Sequence, residues 1–529
     1  MQKKALKTMV TQSRIVEQQE MMFLFHFSFY SLLLFTFSLV LVWKWLWNPK
    51  TLRNLPPSPP KLPIIGNLHQ LGLLPHRSLQ SLAQKYGQLM LLHLGSKPAL
   101  IVSSADAAQE IMKTHDLNFS TRPKSSIPSR LFYDKDIIFI PYGEYWRQLR
   151  SICVLHLLSN KRVESFRRVR EEETSLMLEK IKQSSSSPVN LSEMLISLTN
   201  DVLCRVALGK KYSEQEGDTK LKDLFTDFSE VLGGFNVGEH IPWFGWLNRI
   251  NGLNAKVEKV AEELDKFLED VVEEHIDRQN RDRDGGGSDD QGDEWQKDFL
   301  DVLLGIQREN STAFPLQRVS IKALILDMFA AGTETTYTSL EWEVTELLRH
   351  PKVMKELQNE VRGIAKGKQD IVEDDLEKMH YLKAVINESM RLHPPLPMLV
   401  PREAIQDVKV MGYDIAAGTQ VFINAWAIAR DPSLWEDAKE FRPQRFLNTS
   451  IDYKGQNFQF IPFGAGRRGC PGINFAKPVN ELALAKLVHK FDFALPSGAI
   501  DQDMDMAEAP GITINRKYPL LVVATPYSS

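Results

Sequence analysis

The chain is short of cysteine, of excess charge and of repeated units, and each shortage excludes a class of protein. Three cysteines, Cys153, Cys204 and Cys470, stand in 529 residues. They are too few and too scattered for a disulfide framework or a four-ligand zinc site, and a reducing compartment is the simplest setting. Lysine and arginine number 64 against 67 aspartates and glutamates, so the balance of charge gives no ground for a nucleic-acid partner. No internal repeat recurs at solenoid periods, and no segment carries a flavin or nicotinamide fingerprint. Strand-like pieces such as "LMLLHLG", "PALIVSS" and "VFINAWAI" are too few for a large sheet. Most of the rest reads as amphipathic helix, so a mainly α body with a minor β region is expected. The length allows a sizeable buried core, in one large domain or two.

What is present begins with an apolar run. "MMFLFHFSFYSLLLFTFSLVLVW", Met21 to Trp43, contains no lysine, arginine or acidic residue, and its span of about 23 residues suits a helix that crosses a bilayer. Trp43, Trp45 and Trp47 follow where an aromatic belt would lie. A cleaved signal peptide has a shorter apolar region ending in small residues, so an uncleaved single-pass anchor over residues 21–47 is expected instead. Lys3, Lys4, Lys7 and Arg14 precede the span and Lys44, Lys50, Arg53 and Lys61 follow it, so charge alone leaves its orientation open. The pair Met21-Met22 raises the hypothesis of a later translation start, which would leave residues 1–20 outside the native protein. A native N-terminal peptide beginning before Met21 would refute it. Next, "PPSPPKLPIIGN" places five prolines in eight positions, which forbids a helix and favours a stiff extended connector. Residues 48–66 are read as a hinge and residues 67–529 as the body. The polar stretches "QSSSSPVN" from Gln183 and "RDRDGGGSDDQGDE" from Arg281 read as loops between helices.

Five constellations carry chemistry. The segment from Ile321, "IKALILDMFAAGTETTYTSLEWEVTELLRHP", is apolar on all sides at its start and amphipathic towards its end, which predicts a central helix of about 30 residues and about 45 Å. Gly332 in its middle costs about 1 kcal/mol relative to alanine. Ala331 and Gly332 leave room for an approaching group, Thr335 and Thr336 can bond back to earlier carbonyls, and Glu334 adds an acid. In "ESMRLHPPLPMLVPRE", Glu388 and Arg391 share a helix face; an exposed pair of that kind contributes only a few tenths of a kcal/mol. "FRPQRF" holds Arg445 among aromatics, and "WRQLR" offers Trp146, Arg147 and Arg150. A surface ion pair or a solvated arginine is the default for each taken alone.

The fifth is "PFGAGRRGCPG", Pro462 to Gly472, where Gly464, Gly466, Gly469 and Gly472 permit positive φ or close approach around one thiol. The helical periodicity of "INFAKPVNELALAKLVHKF" puts Cys470 just before a helix N-terminus, where amides and dipole favour a thiolate. Arg467 or Arg468 could bind a carboxylate. An inert buried cysteine is the alternative reading.

The order and spacing of Phe463-x-x-Gly466-x-Arg468-x-Cys470-x-Gly472, "AGTETT", Glu388-x-x-Arg391 and "FRPQRF" resemble a cytochrome P450. With the anchor, the prolines and "PYGEYWRQLR", the chain resembles the plant A-type microsomal branch from Met21 onward. The resemblance implies the cytochrome P450 fold and a haem b cofactor, iron protoporphyrin IX, with Cys470 as proximal thiolate ligand of the iron. Phe463 would pack beside it. Trp146, Arg150, Arg402 and Arg468 would hold the haem propionates, and Thr335 and Glu334 would deliver protons. Glu388, Arg391 and Arg445 would form a buried structural network. Glu334 stands where aspartate is more usual, Gln444 where glutamate is usual, and Pro510 at a variable position before "GIT".

The same resemblance implies a monooxygenase using O2 and NADPH-derived electrons. These would arrive from NADPH-cytochrome P450 reductase, with cytochrome b5 as a further candidate partner. It also places the body on the cytosolic face of the endoplasmic reticulum membrane. A P450 that rearranges or dehydrates its substrate without O2, or a non-catalytic haem-binding membrane protein, are the rival readings. The implied pocket segments are residues 125–140, 235–246, Phe329 with Ala330, 397–400 and 511–514; being apolar, they suit a small lipophilic metabolite, terpenoid, phenolic or amino-acid-derived. Leu399, Val400 and Ile512 are expected to tune regioselectivity.

Overall fold

The computed structural model describes residues 22, 25–43, 54–184, 187–212, 218–284, 297–309, 315–368, 370–496 and 504–527. Residues 1–21, Trp45, Trp47 and the hinge up to Arg53 lie outside the described residues. Two units are distinct, residues 1–54 and residues 55–529.

In the first unit, Phe25–Trp43 is a 19-residue helix, long and apolar enough to span a membrane. Its side chains are exposed all round, Phe25, Tyr30, Phe35 and Trp43 among them. An apolar helix that covers none of its own surface in protein suits a hydrocarbon surrounding.

In the second unit the proline-rich stretch is extended and lies along the body. The Leu91 amide donates to Pro57 O at 2.9 Å, and the Asn67 side chain donates to the carbonyls of Pro59 and Pro60. Prolines lack an amide, so their carbonyls must be satisfied by such neighbours. Leu89–Leu94 and Lys97–Val102 form an antiparallel hairpin, turning at Gly95 with φ +62°. Gln420–Ile423 adds parallel to the second strand, pairing Ala99 with Gln420, and Arg402–Glu403 closes the sheet antiparallel, pairing Arg402 with Val421. The expected strands form, except that Ala425–Ile428 of "VFINAWAI" is helical: Asn424 caps it by accepting from the Ala427 amide.

The helical core is built from Leu191–Leu208, Arg318–Gly332, Glu334–Arg349, His380–Leu392 and Ile473–Lys490. Leu340, Leu347, Leu484 and Leu487 are fully buried, each contributing about 1.5–3 kcal/mol. His380–Leu392 stops because Pro394 disfavours helix at His393. Arg281 to Asp284, expected in a loop, instead end the helix Leu253–Asp284.

The expected central helix is two, Arg318–Gly332 and Glu334–Arg349, interrupted at Thr333. The cause is local. Thr335 Oγ1 donates to Ala331 O at 2.5 Å and Thr336 Oγ1 to Gly332 O at 2.7 Å, and such back-bonding opens the backbone ladder.

Candidate active site

The loop from Phe463 to Gly472 folds back on itself, with the Cys470 amide donating to Phe463 O at 2.9 Å. Gly464 and Gly466 take φ of +66° and +69°. A Cβ on Gly466 would come within 2.3 Å of Met112 O, so that turn admits no side chain. Gly469 and Gly472 do not use positive φ; at Gly469 the need is close approach, since a Cβ there would lie 3.2 Å from Gly466 O. Gly472 caps the helix Ile473–Lys490, and its amide donates to Cys470 Sγ at 3.4 Å. Cys470 therefore sits ahead of a helix N-terminus as its spacing implied.

Cys153 and Cys204 are buried, whereas Cys470 is accessible, and its accessible face belongs to a cavity of about 1310 Å³. Protein mass around the sulfur pushes the thiol's pKa up, opposed by the Gly472 amide and the Arg150 charge. Phe463 borders the same cavity and packs edge-on against Tyr453 at 5.5 Å. Across it lie Ala330, Ala331, Gly332, Glu334 and Thr335. Glu334 accepts from Asn515 Nδ2 at 3.0 Å. Burial raises its pKa, while hydrogen bonds with Asn515, Thr513 and Ser229 oppose the rise.

Four arginines, Arg122, Arg150, Arg402 and Arg468, also line the cavity. Most of their bonds go to neutral carbonyls. Arg150 donates to Gly469 O at 2.6 Å, and Arg402 to Ala465 O at 2.7 Å. Arg468 donates to the carbonyls of Ser120, Ile137 and Ile140, and Arg122 to those of Ile138, Val400 and Pro401. Asp116 bonds Arg402 but is shared with Arg467, and Asp136 is the acid near Arg122 and Arg468. Four cations thus face two carboxylates. Burial and then Arg402 push Arg468 down to about 9, and burial, Arg468 and Arg402 hold Arg122 well below the ordinary guanidinium range. A cluster that destabilises its own charge is relieved by an anionic guest.

Arg122 was not singled out from the sequence; no motif surrounds it, and its role comes from contacts made across the fold. Trp146 is placed differently from expectation. Its indole N–H donates to Ile137 O at 3.0 Å and its ring supports Arg468 at 4.2 Å, while the residue does not border the cavity. Arg467 is half exposed and paired with Asp116, so of the two candidate arginines Arg468 faces the cavity.

Glu388, Arg391 and Arg445 do converge. Arg391 and Glu388 are fully buried, and Arg391 uses all five donors: two on Glu388 and one each on the carbonyls of Ala429, Ala438 and Glu440. Arg445 Nε donates to Glu388 Oε1 at 2.9 Å. Gln444 donates to Glu356 and to the Tyr381 hydroxyl, roles that do not need an acid.

Among the pocket segments, Ile137, Ile138, Phe139, Phe235, His240, Ala330, residues 397–400 and residues 511–514 border the cavity. Phe329 does not; it is buried and stacks on Phe225 at 4.9 Å. Trp243 and Trp246 are exposed instead.

The family description "Cytochrome P450" matches residues 56–522. Similar proteins include Cytochrome P450 736A117 of Prunus mume, 60% identical over 477 residues, which cover 89% of this chain and 90% of that protein. Norfluorocurarine oxidase of Strychnos sp is 55% identical over 479 residues, covering 90% and 93%. A 3-beta-hydroxylase of Tanacetum parthenium is 56% identical over 481 residues, again covering 90% and 93%. A solved zebra fish cytochrome P450, described with abiraterone, superposes with a TM-score of 0.71 at 26% identity, covering 87% of this chain and all of that one. The fold and site define a haem-dependent oxygenase class, and the chain belongs to the cytochrome P450 family. Within it, the chain groups with plant A-type monooxygenases whose relatives serve specialised metabolism.

The residues present fit the haem that this family implies. One accessible thiol opens onto the cavity, four arginines await anionic charge, and small residues at Ala330, Ala331 and Gly332 leave space. The volume exceeds the about 300–1,000 Å³ of an ordinary small-molecule pocket, enough for a cofactor and a substrate together.

Proposed function

We propose that this protein is a membrane-anchored monooxygenase that hydroxylates or otherwise oxidises a small lipophilic plant metabolite of terpenoid, phenolic or amino-acid-derived origin. One observation carries the reading: the Cys470 thiol opens onto the same cavity as Thr335 and Glu334. Cys470 would ligate the haem iron, with Phe463 beside it; Arg150, Arg402 and Arg468, joined by Arg122, would hold the haem carboxylates, and Trp146 supports Arg468. Haem bound here supplies dioxygen activation and transfer of one oxygen atom to the substrate. The chain's own residues do the rest. The Gly472 amide and the Arg150 charge stabilise sulfur as thiolate. Thr335 spends its proton on Ala331 O, leaving the oxygen free to accept. Glu334, raised by burial, keeps its proton to higher pH than an exposed glutamate and can hold or pass it at its carboxyl oxygens. The apolar lining excludes water and admits a lipophilic guest.

Electrons come from NADPH through NADPH-cytochrome P450 reductase, with cytochrome b5 as a further partner. The helix Phe25–Trp43 anchors the protein in the endoplasmic reticulum membrane with the body in the cytosol. Two relatives, a norfluorocurarine oxidase and a 3-beta-hydroxylase, support an oxidative reaction. The test is the absorption spectrum of dithionite-reduced protein under carbon monoxide, with Cys470→Ser beside it. A strongly red-shifted Soret band that disappears in the variant is expected. Folded, haem-loaded protein without that shift would overturn the assignment.

A further inference from the structure

Asp327 lies two turns before Thr335 on the helix Arg318–Gly332, within "DMFAAGTETT", and has no part in the functional reading above. It is 1% exposed. Its Oδ2 accepts the Ile137 amide at 2.8 Å, its Oδ1 has no protein partner, and the residue borders the cavity. A carboxyl is costly in such a place, and burial together with the neighbouring Asp136 holds its pKa well above the carboxylate range. Among the described residues no cation pairs with it, so its role is that of a neutral acceptor.

What it grips explains the cost. The turn Asp136–Ile140 is a hub of backbone carbonyls. Ile137 O accepts from the Trp146 indole and from Arg468, Ile138 O accepts from Arg122, and Ile140 O accepts from Arg468 again. Asp136 tightens the turn from within by accepting the Phe139 amide at 2.5 Å. One hydrogen bond from the central helix thus fixes a turn that orients two buried arginines and an indole.

We propose that Asp327 is a positioning residue: through the Ile137 amide it clamps the Asp136–Ile140 turn to the central helix, and so aims Arg122 and Arg468 at the carboxylates of the haem. The proposal rests on the haem reading above. The experiment uses purified holoenzyme and compares wild type, Asp327→Asn and Asp327→Leu. Asparagine keeps an acceptor oxygen of the same reach, whereas leucine keeps the volume and loses the acceptor.

Two readouts decide. In hydrogen–deuterium exchange, the peptide carrying Ile137 is slow in wild type and in Asp327→Asn, and exchanges at least tenfold faster in Asp327→Leu, while the helix His380–Leu392 is unchanged. The haem reduction potential follows the same division. It is retained with asparagine and displaced to more negative values with leucine, because less positive charge then offsets the haem carboxylates. Equal exchange and equal potential in all three proteins would overturn the clamp, and so would an asparagine variant that behaves like leucine. If Asp327→Leu does not fold, the wild type still decides: an Ile137 amide that exchanges as fast as an exposed loop amide refutes the clamp. Failure of the haem reading itself is seen separately, as absence of the red-shifted carbon monoxide band from wild type.

Discussion

At the scale of single residues, identity matters less than the direction from which a side chain is reached. Cys470 and Cys153 are both free thiols, yet only Cys470 opens onto the cavity, while burial pushes Cys153 far above the ordinary thiol range. Thr335 shows the same dependence. Its hydroxyl is held by Ala331 O on a helix that borders the cavity, so its remaining lone pairs are available to a guest. Thr335→Ala is expected to lower product formed per NADPH consumed by about 10²-fold in the presence of the reductase, with Thr335→Ser restoring most of it. A wild-type ratio in the alanine variant would remove the hydroxyl from the proton path. Cys470, Thr335 and Arg468 were legible from sequence because each sits in a short motif. Arg122 and Asp327 were not, since no motif marks them and Arg122 meets Val400 and Pro401, and Asp327 meets Ile137, from more than a hundred positions away.

At the scale of elements, buried charge decides what a helix contributes. Glu388 and Arg391 look like an ordinary surface pair three residues apart, but both are fully buried, with Arg445 joining from a loop. Glu388→Ala would strand two guanidiniums without their acid, at a cost of about 3–5 kcal/mol. Urea denaturation that shows a loss below 1 kcal/mol would return the pair to the status of a surface contact. Glu343 makes the opposite case. It is fully buried on Glu334–Arg349, accepts from Ser339 at 2.8 Å, and has the acid Glu481 nearby.

Burial pushes the Glu343 carboxyl from its ordinary 4.5 up to about 8. Because its folded pKa is the higher one, the folded state binds more protons than the unfolded state between those values. Stability therefore falls as pH rises from 4.5 to 8, by at most about 1.4 kcal/mol per pH unit. Glu343→Gln removes this dependence while keeping the acceptor, so its advantage over wild type should be greater at pH 7.5 than at pH 5. Equal differences at the two pH values would show that Glu343 is not held neutral.

At the scale of the whole molecule, the cavity is assembled from segments that meet only when the chain closes. The segments around residues 137–139, 330–335, 397–402, 463–472 and 510–515 each contribute lining residues. Leu399, which borders the cavity in the loop before Arg402, adopts φ +50°. Replacing Leu399, Val400 and Ile512 together with alanine should redistribute the oxidised products of any accepted substrate while leaving the carbon monoxide spectrum intact. An unchanged product profile would place substrate elsewhere in the cavity. A second polar cluster, His275 with Asp298 and Asp301, lies outside that lining; Arg278 already bonds both carboxylates, which accounts for their proximity without a metal.

The amino-acid sequence by itself determined what depends on neighbours within a few positions: the apolar span before Trp43, the glycine turn ahead of Cys470, and the pairing of Glu388 with Arg391. These follow from backbone geometry, helical spacing and transfer to an apolar surrounding, all of which act locally. Tertiary structure alone decided which arginines share the cavity, that Trp146 supports Arg468 instead of bordering the cavity, that Phe329 turns to Phe225, and that Asp327 meets Ile137. Each of those outcomes joins distant segments, where burial strengthens every unpaired charge and only the closed fold brings its partner within reach.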